Sequence, residues 1–181
     1  MKKTRLFLMA VAVTGMVAQV VWASAAKRLS FDQLVSGSDR VVVAKLEKPG
    51  KSAWGPERRR IYTTYTFEVV QDVAGSGTGQ ITIVQPGGRV GRLAQKTEGY
   101  PTFEPGKKTL LFLREKRGAF RVVGLCQGVF DFRKEDEREF VVQRLKGLSF
   151  PGDHGRPILI ERKQAFEKIR ARWSHDGQVT K

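Results

Sequence analysis

The chain has 181 residues, with 33 Lys+Arg against 18 Asp+Glu for a formal net charge of +15. Its 40% apolar and 28% charged residues exclude wholesale disorder, collagen and a polytopic membrane protein. One Cys and two His exclude an intrachain disulfide and a multi-Cys zinc or iron–sulfur centre, so no metal or cofactor is expected.

Lys2, Lys3 and Arg5 make a positive start, and residues 6–26 carry no charge. Ala23-Ser24-Ala25 puts small residues at both positions a signal peptidase needs, so residues 1–25 read as a secretory signal cut after Ala25. The alternative is an uncleaved anchor, because a 21-residue uncharged run nearly spans a bilayer; Thr14, Gly15, Gln19 and Ser24 weaken it as a membrane helix. A periplasmic or secreted location is expected, with no membrane span once the signal is removed. Cleavage takes away three positive charges and leaves +12 on 156 residues. A chain so charged meets anionic envelope polymers, though the charge also serves plain solubility. Its basic residues are spread out, with Arg58-Arg59-Arg60 the one real run. A nucleic-acid binder would cluster them among aromatics, so nucleic acid is not an expected partner.

Ser30-Phe31-Asp32-Gln33-Leu34-Val35 reads as a short capped helix, with the Ser–Gln spacing of a capping box. Residues 40–47 form a β-branched strand partly buried on both faces, and residues 49–60 a polar loop bearing Trp54. Residues 61–73 alternate with a period of two and return through 80–85 as a hairpin. Residues 86–106 read as a long ordered loop rich in Gly and Pro. Strands follow at 107–113, 119–123, 129–132 and 140–145, with a glycine bulge at 124–128 and a charged tip at 133–139. Residues 151–157 are a linker, 161–173 an amphipathic helix and the remainder a polar tail. The sum is a mainly β chain: a barrel domain over 26–150, then 151–181 as linker, helix and tail. Six or seven short antiparallel strands with Gly turns point to a closed or partly closed barrel.

Several stretches fit one pattern: Ser38-Asp39-Arg40-Val41-Val42-Val43-Ala44, Gln85-Pro86-Gly87-Gly88, Tyr100-Pro101-Thr102-Phe103-Glu104-Pro105-Gly106 and Val122-Val123-Gly124-Leu125-Cys126-Gln127-Gly128. Over residues 30–150 the chain resembles a group of uncharacterised secreted bacterial β-barrel proteins. In layout it is similar to netrin-like and tissue-inhibitor-of-metalloproteinase domains, which are OB-type barrels. That resemblance implies fold and export. The inhibitors reach their protease through an N-terminal Cys, and no Cys here precedes Cys126.

Catalytic motifs do not assemble. Ser76 in Ala74-Gly75-Ser76-Gly77-Thr78 fails both outer positions of a hydrolase elbow. Cys126 lies on an expected strand, away from His154 and His175, and reads as a structural thiol. The glycines of 99–106 are spaced wrongly for a phosphate loop and lead into a strand. Glu135, Asp136, Glu137 and Glu139 alternate with Arg133, Lys134 and Arg138 as a solvated tip. In Gly87-Gly88-Arg89-Val90-Gly91-Arg92 the glycines either shape a turn or expose N–H groups that, with the two Arg, meet an anion. Trp54, Tyr100 and Phe103 either bind a partner or plug the barrel end. The expectation is therefore a non-enzymatic binding domain. Its surface would be the 86–106 loop (Gly87, Gly88, Arg89, Arg92, Tyr100 and Phe103) with Trp54, Arg58, Arg59 and Arg60, and its partner a protein or an anionic envelope polymer. The alternatives are a partner or inhibitor of a secreted metalloprotease, and a polyanion binder.

Overall fold

A computed structural model describes residues 26–77, 79–151 and 155–176. The signal segment with Ala23 and Ala25, His154 and the last five residues lie outside the described residues.

The N-terminal helix α1 (Phe31–Ser36) begins as its residues dictate: Ser30 Oγ accepts from Gln33 N, and Gln33 Oε1 accepts from Ser30 N. Such a cap contributes about 1 kcal/mol. Strand β1 (Arg40–Leu46) follows, and its alternation serves two cores. Val41 and Val43 face α1 and the C-terminal helix; Val42, Ala44 and Leu46 face the barrel interior. Strand β7 (Lys108–Lys116) does the same, with Leu110 and Phe112 outward and Leu111 and Leu113 inward. Burial on both faces explains why these two runs are continuously apolar.

Strand β3 (Ile61–Ala74) is the longest because it serves three partners. Its first residues pair with β2 (Lys51–Trp54), its middle with β4 (Gln80–Pro86) and its second half with β1. Two register shifts let β1 and β3 curl around the core. The β7–β8 hairpin, with β8 at Ala119–Val122, then closes the ring in the order β1-β3-β4-β8-β7. Strands β9 (Val129–Glu135), β10 (Arg138–Gln143) and β11 (Leu159–Glu161) extend the sheet beyond β7. The C-terminal helix α2 (Arg162–Asp176) lays Ala165, Phe166 and Ile169 on the outer core.

The mainly β reading with a helix at each end holds, and five points are corrected. The barrel closes with five strands, fewer than the six or seven expected, because β9 and β10 leave the ring and run on as an open sheet. The closure is not wholly antiparallel: β4 and β8 meet in parallel at one pair, Ile83 and Phe120. The polar loop 49–60 holds β2, whose face is too exposed to show alternation. The loop 86–106 holds a small hairpin, β5 (Gly88–Val90) with β6 (Leu93–Gln95). Cys126 sits in a 3-10 turn (Leu125–Gly128) begun by Gly124 at φ 64°, not on a strand. Among the described residues, no helix is long and apolar enough to cross a membrane.

Candidate functional site

An open cleft of about 850 Å³ lies at the barrel mouth. One wall is residues 95–102 and the other is Cys126, Asp131 and residues 144–147, just past β10. Its floor comes from β3 and β4. On β4 the inward positions are Ile81, Ile83 and then Gln85, so a polar residue occupies a core register. Gln85 is 7% exposed, and its Nε2 donates to Pro101 O at 2.7 Å and to Tyr65 Oη at 3.4 Å. Its Oε1 has no hydrogen-bond partner, a costly state for a buried acceptor. Burial raises the pKa of Tyr65 above its ordinary value, and the hydrogen bond from Gln85 only partly offsets this. The phenol is therefore neutral and keeps a proton to donate.

The wall from Gly99 to Thr102 is a pinned strap. Cys126 N donates to Gly99 O at 2.8 Å, Gln85 holds Pro101 O, and Arg144 Nη1 donates to Thr102 O at 2.7 Å. Arg144 is itself held: its Nε and Nη2 make a two-pronged contact with the Asp131 carboxylate at 2.7 and 2.5 Å. Lys107 Nζ adds a contact at 3.3 Å. Burial alone would raise the Asp131 pKa, but the hydrogen bond and charge of Arg144, with Lys107, outweigh it and hold the carboxyl below its ordinary value.

Cys126 also lines the cleft, with its thiol directed at Lys146 O. Burial pushes its pKa up to about 11, despite a backbone hydrogen bond and the charge of Arg144. At neutral pH roughly one thiol in ten thousand is then the reactive thiolate. We expect the folded protein to resist iodoacetamide and to label only on unfolding in urea; stoichiometric labelling of the native chain would contradict this burial.

The residues singled out in the sequence separate into two places. Gly87, Gly88 and Tyr100 line the cleft. Phe103 is a plug, packed edge-on against Phe67 at 4.9 Å and Tyr65 at 5.2 Å. Trp54, Arg58, Arg59, Arg60, Arg89 and Arg92 lie outside the cleft on β2, its turn into β3, and the β5–β6 hairpin. Gly88 links the two places. At φ 131° its Cα lies so close to the β2–β3 ribbon that a Cβ would come within 2.3 Å of both Ser52 Oγ and Thr63 Oγ1. The conformational reason for the Gly pair is thus real, and it seats β5 on β2. Gly88→Ala should loosen the β5–β6 hairpin: amide exchange at Arg89–Gln95 should speed up at least about tenfold, with little change in β1 or β7. Unchanged exchange there would show that the ribbon absorbs the methyl group.

Sequence reasoning missed Gln85, Tyr65, Lys107, Asp131 and Arg144. Gln85 carried a legible signal, a polar residue in phase with Ile81 and Ile83. Asp131 and Arg144 carried none, because their pairing depends on the register of β9 with β10. Among the described residues no group of three His, Cys, Asp or Glu side chains is placed to hold a metal ion. No protein-family model matches the chain, and a search of curated proteins finds no match either.

Proposed function

We propose that this chain is an exported, non-enzymatic binding domain, an OB-type barrel of netrin-like layout whose ligand seats in the Gln85 cleft. Export is supported by the positive start, the uncharged run and Ala23-Ser24-Ala25. The single observation that carries the binding reading is the buried, unpartnered Gln85 Oε1 beside the Tyr65 hydroxyl in the floor of the cleft. A small outward movement of the strap would present an acceptor and a donor side by side. That pair suits a hydroxyl or amide of a glycan or peptide. Residues of the 86–106 loop, Tyr100 among them, line the cleft, and Arg89 and Arg92 do not. The metalloprotease-inhibitor alternative lacks the N-terminal Cys through which those inhibitors reach the protease, because no Cys precedes Cys126.

The test is capture of partners from envelope extract by the processed chain. Tyr65→Phe with Gln85→Leu, or Tyr100→Ala, should lose partners that Arg59→Gln with Arg60→Gln keeps. If the cleft variants fold and retain every partner, the cleft is not the binding site.

A further inference from the structure

We infer that the arginine-rich end of the molecule is a docking surface for an anionic lipid bilayer, separate from the cleft. Two hairpin turns meet there: the β2–β3 turn carries Arg58, Arg59 and Arg60, and the β7–β8 turn carries Arg117. The β5–β6 hairpin, which packs against β2, carries Arg89 and Arg92. All six are exposed, and none makes an ion pair among the described residues. One acid, Glu57, lies among them. Arg59, Arg60 and Arg117, with Tyr62 and the single acid Glu57, line a concavity of about 480 Å³, ample for a phosphate headgroup, and the three cations outnumber the one carboxylate. Arg58 and Arg117 hold φ of 49° and 55°, left-handed turn positions that Gly or Asn occupies at less cost. Those turns thus keep a guanidinium where local conformation disfavours one.

The apolar residues decide the kind of partner. Trp54 is 39% exposed and Leu93 is 61% exposed, beside the arginines in the chain. A polyphosphate chain offers an exposed indole nothing to pack on, whereas the bilayer interface favours Trp and the headgroups favour Arg. Sidedness points the same way. Trp54 pairs with Ile61 and shares a ribbon face with Ser52 and Thr63, while Tyr62, beside the arginine concavity, is on the other face. A linear polymer would track one face. A flat surface meeting the ribbon end-on touches both.

The test is co-sedimentation of the processed chain with vesicles of phosphatidylethanolamine and phosphatidylglycerol, against vesicles of phosphatidylcholine alone. Binding is expected to the first only. Arg59→Gln, Arg60→Gln and Arg117→Gln together should weaken it on the order of 100-fold. Lipid brominated in its acyl chains should quench tryptophan emission in the wild type, and Trp54→Phe should abolish that quenching. Far-ultraviolet circular dichroism checks that each variant folds. Equal retention on neutral vesicles, undiminished binding by the triple variant, or binding to soluble polyphosphate without vesicle binding would each overturn the inference. Because the arginine variants leave Gln85 and Tyr65 in place, loss of vesicle binding and loss of a cleft ligand are separable results.

Discussion

Phe112→Ala is expected to destabilise the protein by about 3–5 kcal/mol, the largest effect of any single truncation considered. Phe112 is fully buried and makes a triangle of rings with Phe31 of α1 and Phe130 of β9. Its centroid lies 5.6 Å from the first, edge-on, and 5.4 Å from the second. The triangle ties the N-terminal helix, the ring strand β7 and the open sheet together, so no one element can move in to fill the space. The lost transfer energy and the residual cavity then add. For comparison, the Ser30 cap of the same helix is worth about 1 kcal/mol. A domain of this size is stable by about 5–15 kcal/mol, so the variant should melt roughly 6–20 °C lower. Phe112→Leu keeps much of the volume and should lose under about 1.5 kcal/mol. A loss below 1 kcal/mol for the Ala variant, from chemical denaturation, would mean that the three rings do not form one packed unit.

Arg144→Ala is expected to release the strap and to strand Asp131. Two hydrogen bonds to a charged carboxylate and one to Thr102 O disappear, leaving Asp131 with Lys107 alone. The pair is only part-buried, so the loss should be about 1–3 kcal/mol rather than that of a fully buried ion pair. The companion measurement is pH dependence. The folded pKa of Asp131 lies below its unfolded value. Its contribution is therefore whole above the ordinary carboxylate range near 3.9 and is lost as pH falls through the depressed folded value. Urea midpoints taken from pH 7 down to pH 3 should fall less steeply for Asp131→Asn than for the wild type. Parallel curves would show that the contact with Arg144 does not survive in solution. Released strap backbone should also raise amide exchange at Thr102 and at Cys126, whose N–H is bound to Gly99 O.

The capping box of α1 and the strands β1, β3, β4, β7, β8, β9 and β10 were legible in the sequence because each is a local pattern. Ser30 and Gln33 are three residues apart, and Ile61 to Val73 alternates because one face of β3 is buried. The two-faced burial of β1 was visible as Val41-Val42-Val43, a run with no polar phase; Leu110-Leu111-Phe112-Leu113 marked β7 as a strand, and the structure adds that both its faces are covered. The short strands β2, β5, β6 and β11 were invisible, since three or four largely exposed residues show no hydrophobic period.

What the tertiary structure alone decided is where the ring closes and what gathers at its mouth. Closure rests on one parallel contact between Ile83 and Phe120, and no composition of either strand announces which neighbour it will choose. The same is true of the functional surfaces. Asp131 and Arg144 meet through the pairing of β9 with β10, Gly88 sits on Ser52 and Thr63 because β5 crosses the β2–β3 ribbon, and Arg117 joins Arg59 and Arg60 from more than fifty residues away. Residue order sets the periods and caps, which act over a few positions. The cleft and the arginine end are made by contacts between distant segments, and those follow from burying both cores at once.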